Sequence, residues 1–163
     1  MNQSPTTVLF VSTRDAVRGI LAEALLRHTG ADRFVAFSAG CNAAFKPDER
    51  TLEILDEKGV FVEGLQPQSL ERFFESPRSI LVDVIVTLSE EAREHCPVWP
   101  GDPVRVHWPV DDPCAAATDD ERETKFRRCF EMIQNRVEAL IKQRSPQSST
   151  ELMFQLRSIS SVV

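Results

Sequence analysis

Short apolar runs alternate with stretches of helical periodicity along this chain. Thr7-Val8-Leu9-Phe10-Val11 is short, apolar and followed at once by polar turn residues, which predicts a buried central strand. Leu21, Ala24, Leu25 and His28 then recur at helical spacing, with Gly30 as the stop. A second strand is predicted over Phe34 to Ser38, ended by Ala39-Gly40. Pro47 through Lys58 reads as a helix with Leu52 and Leu55 inward and Gly59 closing it. Ser69 begins a further helix, since Glu71 and Glu75 lie near its start and Leu70, Phe73 and Phe74 form an apolar face.

Val82 to Leu88 is mostly β-branched and apolar, as a strand covered on both faces should be. A short helix is predicted over Glu90 to His95. Val104 to Trp108 alternates with polar residues, which places this strand nearer a sheet edge. Asp119 is expected to cap a long amphipathic helix on which Phe126, Cys129, Phe130, Ile133, Val137, Leu140 and Ile141 share one stripe. Residues 1–144 are therefore expected as the domain, with 145–163 as a tail. Ser145 to Thr150 is polar and expected to be disordered, while Glu151 to Val163 is apolar enough to fold back or meet a partner. The alternation implies an α/β fold of three layers, with a four-stranded, mostly parallel sheet covered on both faces.

Composition narrows the class without naming a chemistry. The 163 residues suit one globular domain that buries a core without disulfides or metal. Four cysteines, Cys41, Cys96, Cys114 and Cys129, form no C-x-x-C pair, so reduced thiols in a cytoplasmic setting are expected. No cysteine and histidine spacing suits zinc, and no cofactor motif is evident. A net charge of −6 argues against general nucleic-acid binding, and the apolar run Val8 to Val11 is too short to span a membrane. The expected partner is a small solute or a protein.

In open parallel sheets, ligands sit at the carboxyl ends of the strands. That points to Ser12-Thr13-Arg14-Asp15-Ala16-Val17-Arg18, where a helix N-terminus offers backbone N–H groups and Arg18 offers a guanidinium for an anion. Taken alone, the segment also reads as a plain turn with a solvated arginine. Other segments agree with the anion reading. Ser12 and Arg18 stand five residues apart, after Val-Leu-Phe-Val and before Ala22-Glu23-Ala24-Leu25-Leu26. This arrangement resembles the C-x5-R phosphate loop of low-molecular-weight protein tyrosine phosphatases and thioredoxin-coupled arsenate reductases. Ser38-Ala39-Gly40 is also typical of that superfamily. Val86-Thr87-Leu88-Ser89, Cys96-Pro97-Val98-Trp99-Pro100-Gly101 and His107-Trp108-Pro109-Val110-Asp111-Asp112-Pro113 favour the reductase branch. The resemblance spans roughly residues 6 to 143.

The resemblance implies a low-molecular-weight phosphatase-like fold and an oxyanion site formed by Ser12, Thr13, Arg14, Asp15, Ala16, Val17, Arg18 and Gly19. It puts Ser12 where the family has its nucleophilic cysteine. A thiol at a helix N-terminus ionises near neutrality, whereas a serine needs an adjacent base. The family usually has Gly, Asn and Ser where this chain has Arg14, Asp15 and Ala16, and Ser where it has Gly19. Arg14 is therefore expected to reshape the loop, and Asp15 to place a carboxylate at the anion site or to pair with Arg14 or Arg18. The two further redox cysteines would fall at Ser89 and Cys96, so only Cys96 remains. Asp112 matches the family's general acid.

Two functions follow. One is a catalytically impaired pseudoenzyme that binds phosphate, sulfate or arsenate, or a protein. The other is an active reductase or phosphatase that uses Arg18, Asp112 and a relocated thiol, Cys96 or Cys114. A third reading makes the apolar tail around Leu152-Met153-Phe154-Gln155-Leu156 an association surface. Trp99 and Trp108 read as packing residues, and Cys129 as a core residue.

Overall fold

The computed structural model describes residues 4–75 and 80–163; the first three residues of the expected domain lie outside these. Four parallel strands, β1 (Thr6–Ser12), β2 (Phe34–Gly40), β3 (Val84–Thr87) and β4 (Val104–His107), form one sheet in the order β2-β1-β3-β4. The strand expected at the centre, β1, is thus interior, and β4 lies at an edge as its alternation predicts. Between them run α1 (Arg18–Gly30), α2 (Glu49–Glu57), a short 3₁₀ turn (Leu70–Phe73) and α3 (Glu90–His95), followed by α4 (Asp119–Lys142) and α5 (Ser149–Ile159).

Successive residues of a strand face opposite sides, and the core divides accordingly. Val8, Phe10, Val84 and Val86 meet α1, α2, α4 and α5 on one face. Leu9, Val11 and Ile85 meet Leu70, Phe73, Ala92 and Trp99 on the other. This is the three-layer α/β architecture expected from the alternation of strands and helices. Trp99 and Trp108 are both buried, Trp99 in edge contact with Phe74 and Trp108 tilted against Phe10. Cys129 is buried in the α4 stripe, where desolvation pushes its thiol up to about 12.

Several expectations are corrected. Thr118, not Asp119, caps α4, its hydroxyl accepting from Glu121 N at 3.1 Å, and Asp119 is the first helical residue. On α2 the inward residues are Thr51, Ile54 and Leu55, while Leu52 is only half-buried. The helix expected from Ser69 is a single 3₁₀ turn. The third strand begins at Val84 rather than Val82.

In the tail, Glu151 to Val163 folds back on the domain. Ser145 to Thr150 is not wholly irregular: Ser148 accepts from Glu151 N at 3.1 Å and caps α5, which starts at Ser149. The helix packs on β4 and α4 with Leu156 and Ile159 buried. Two polar anchors fix it. Trp108 Nε1 donates to Leu156 O at 2.9 Å. Buried Arg136 donates to the carbonyls of Ser160, Val162 and Pro109, at 3.2, 3.0 and 3.0 Å. Its guanidinium is desolvated, and three carbonyl dipoles replace the missing water. Arg136 thereby ties the tail to the segment leading into Asp112.

Leu156→Ala should lower stability by about 2–4 kcal/mol, the usual range for truncating a fully buried leucine. Urea unfolding followed by tryptophan fluorescence measures this. An unchanged midpoint would mean that α5 is not part of the cooperative fold.

Candidate functional site

The β1–α1 loop is shaped by where its backbone polarity goes. Four of its carbonyls are bonded outward to the segment that follows β2. Ser12 O accepts from Cys41 N at 3.1 Å, Thr13 O from Asn42 N at 2.8 Å, Arg14 O from Ala44 N at 2.7 Å, and Ala16 O from Asp48 N at 3.1 Å. Thr51 Oγ1 adds a second donor to Ala16 O at 3.1 Å. By contrast, the N–H groups of Arg14, Ala16 and Val17 find no acceptor among the described residues, and Val17 provides no side-chain cap for α1. Unpaired N–H groups at a helix start favour negative charge. Gly40 permits the close approach of β2 to the loop, since a β-carbon there would lie 3.0 Å from the carbonyl carbon of Arg14.

These residues line a cleft of about 830 Å³ at the carboxyl end of β1, together with Arg18, Asp112, Cys114 and Arg122. Arg18 Nη1 donates to Val110 O at 3.0 Å, which links the guanidinium to the segment carrying Asp112. Asp112 Oδ1 accepts from Cys114 N at 2.9 Å in a local turn. Of the residues named from sequence, the cleft gathers Ser12 to Arg18, Ser89, Asp112 and Cys114 but not Gly19 or Cys96. Gly19 lies behind the loop against Asp15 and Ser38. Cys96 packs beside the Leu9–Val11 face of the core, and burial raises its thiol. Ser89 caps α3 through Ala92 N at 3.1 Å and bonds Thr13 Oγ1 at 3.0 Å, so it braces the loop.

Asp15 differs from both expectations. It pairs with neither Arg14 nor Arg18, and its carboxyl does not enter the cleft. Only 1% exposed, it turns behind the loop, where its Oδ2 accepts from Ser38 Oγ at 3.1 Å and Gln68 N at 3.0 Å. Its backbone holds the left-handed conformation, φ 53°, while its N–H donates to Ser12 Oγ at 3.1 Å. Arg14, expected to distort the loop, is an exposed cleft residue without positive φ. Among the described residues, Asp15 Oδ1 has no hydrogen-bond partner. A β-carbon on Gly19 would overlap that oxygen, so the glycine makes room for the acid.

Desolvation pushes the Asp15 carboxyl up to about 8. Glu23, also buried, approaches Ser38 Oγ at 3.5 Å and is pushed up to about 7 by desolvation, against the opposing pull of Arg27. Sequence reasoning missed this Asp15–Ser38–Glu23 cluster. Its only signal was an acid in the first buried helix, at Glu23, together with the polar Ser38 in an otherwise apolar strand. It also missed Lys46, Asp48, Arg50 and Arg122 on the cleft wall, where Arg122 pairs with Asp48 at 2.7 Å.

The fold and cleft define a three-layer α/β protein whose first strand ends in a loop that leaves amides at the start of α1 unpaired among the described residues. The family profile described as low molecular weight phosphotyrosine protein phosphatase matches residues 7–149, and the chain belongs to that family. An arsenate reductase from Halalkalibacterium halodurans is 28% identical over 131 residues, covering 80% of this chain and 91% of the relative. The crystal structure of an arsenate reductase from Archaeoglobus fulgidus superposes with a TM-score of 0.64 at 29% identity, over 83% of this chain and 99% of that one. The tyrosine phosphatase Wzb from Escherichia coli K30, solved with sulphate, shares the fold with a TM-score of 0.61 at 15% identity, over 84% and 99% of the two chains. Among the described residues, no helix is long and apolar enough to cross a membrane.

The raised carboxyls tie stability to pH. Asp15 is neutral in the fold and ionised in the unfolded chain between its ordinary value of 3.8 and about 8, so its stabilising contribution is full below 3.8 and is lost as pH rises toward 8. Asp15→Asn should therefore be more stable than the parent at neutral pH. The gap should widen with pH across that window by at most about 1.4 kcal/mol per unit. Thermal unfolding at several pH values reads this, and a constant gap would contradict the buried acid. Gly19→Ala should cost roughly 1–3 kcal/mol by overpacking Asp15; an unchanged melting temperature would show that the acid has room to move.

Proposed function

We propose that this chain is an oxyanion-binding member of the family in which Ser12 holds the nucleophile position and covalent turnover is lost. One observation carries the reading. The carbonyls of Ser12, Thr13, Arg14 and Ala16 are committed outward, the amides of Arg14, Ala16 and Val17 lack acceptors among the described residues, Arg18 lines the cleft, and a serine stands at the start. Backbone N–H groups at a helix start plus one guanidinium match a tetrahedral dianion in charge and geometry. Phosphate, arsenate and sulfate all present that form, and binding needs no cofactor or metal.

The impairment follows from proton transfer. None of the three histidines lines the cleft, and His107 bonds Thr87 Oγ1 at 2.7 Å and Glu90 Oε1 at 3.0 Å instead. Asp15 Oδ1 makes no hydrogen bond to Ser12. Ser12 Oγ accepts from Asp15 N and is hydrogen-bonded to no base among the described residues, which leaves Asp112 without a leaving oxygen to protonate. A two-thiol relay lacks its thiols here, since Cys96 lies in apolar packing and the other position, Ser89, lines the cleft as a hydroxyl that caps α3. The free cysteines suit a reducing, cytoplasmic setting. The tail offers less to a protein partner than its composition suggests, because Leu156 and Ile159 are used internally.

A second reading keeps activity through Cys114, the one cysteine among the described residues that lines the cleft. Its environment works against it. Partial burial raises its thiol, and the Asp112 and Asp48 carboxylates raise it further, opposite to what a nucleophile needs.

Calorimetry should detect phosphate or arsenate binding that Arg18→Ala weakens by at least tenfold, about 1.4 kcal/mol. Arsenate reduction with thioredoxin and aryl phosphate hydrolysis should not exceed the Ser12→Ala level. Turnover well above that control would overturn the impaired reading, and turnover abolished by Cys114→Ser would establish the second.

A further inference from the structure

The loop that faces the cleft has a buried acid on its other side. Asp15 Oδ2 receives two donors, from Ser38 and Gln68, which leaves Oδ1 as the oxygen that carries a proton. A carboxyl in this position is an uncharged wedge when protonated. When ionised, it is a negative charge in the same loop whose amides face the anion.

We infer that the site takes a divalent tetrahedral oxyanion only while Asp15 is protonated, so that anion binding and proton retention by Asp15 are coupled. The inference rests on the oxyanion reading above and adds a pH limit to it. Ionised Asp15 would oppose the anion by direct repulsion through a water-poor loop. It also cannot readily escape. The backbone is held in the left-handed region, the side chain is 1% exposed, and Gly19 and Ser38 close the space around it.

Among the described residues, few charged groups face the acid. Glu23 approaches from α1 through Ser38, and it is paired with half-exposed Arg27 at 2.9 Å. From β2 comes only the Ser38 hydroxyl, and from the segment before the 3₁₀ turn only the Gln68 N–H. Arg14 and Arg18 line the cleft on the anion's side of the loop. Glu23 titrates in the same range as Asp15, so the two carboxyls form a coupled pair. Asp15 is the member within the loop, and the effect on the anion is assigned to it.

Linkage makes the effect reciprocal. If ionisation of Asp15 and anion binding exclude each other, affinity falls about tenfold for each pH unit above the midpoint of the acid. Sulfate is the suitable probe, because its charge is constant between pH 7 and pH 9. Calorimetry on the full chain should show sulfate binding about tenfold weaker at pH 9 than at pH 7. At pH 8 the heat should depend on the ionisation enthalpy of the buffer, reporting proton uptake. Asp15→Asn, which keeps the shape of the neutral acid, should bind with equal strength at both pH values and without proton uptake. Glu23→Gln should retain the fall.

Equal sulfate affinity at both pH values in the parent, or an undiminished fall in Asp15→Asn, overturns the coupling while leaving the oxyanion site intact. No sulfate binding at either pH overturns the oxyanion reading and the coupling together. Proton uptake by the parent is read without any variant, so a misfolded Asp15→Asn would not rescue the inference.

Discussion

The arrangement around the cleft depends on how one seven-residue loop disposes of its backbone carbonyls. Four of them, from Ser12, Thr13, Arg14 and Ala16, are bonded to the segment running from Cys41 to Asp48. A buried carbonyl must find a donor, and once these have done so the loop has little freedom to turn its amides elsewhere. The chirality of the curve is absorbed at Asp15, where φ is 53°. The same commitment sends the Asp15 side chain behind the loop, requires Gly19 to lack a β-carbon, and leaves Arg18 lining the cleft.

From that loop the constraints spread through polar anchors. Ser89 braces Thr13 while capping α3, and Arg18 holds the Val110 carbonyl. Arg136 holds the carbonyl of Pro109 and those of Ser160 and Val162, so the C-terminal helix and the Asp112 segment share one buried guanidinium. The apolar layers supply the bulk of the stabilisation through burial. The polar anchors determine which segments stand beside which, and hence which side chains meet in the cleft.

Much of this was legible in the chain itself where the signals are local. The apolar run of β1, the glycine that ends α1 and the stripe on α4 each report their element within a few residues. Arg18 and Asp112 could be placed together through the resemblance and the strand-end rule. Features that depend on distant partners were not legible. Asp15 looked like a cleft carboxylate, because its true partners, Ser38 and Gln68, lie 23 and 53 residues away. The polar stretch from Ser145 concealed a helix whose stability comes from Trp108 and Arg136 rather than from propensity. Thr118 and Asp119 are both good caps, and only the geometry separates them.

The central claim is that residues 12–18 form an anion cradle with the acid behind it. A crystal structure with tungstate, an electron-dense tetrahedral dianion, tests it most directly. The account predicts the anion above the loop, within hydrogen-bond reach of the amides of Arg14, Ala16 and Val17 and of Arg18, with Asp15 still turned toward Ser38. An anion bound elsewhere, or a loop whose amides point away while Asp15 occupies the cleft, would contradict it.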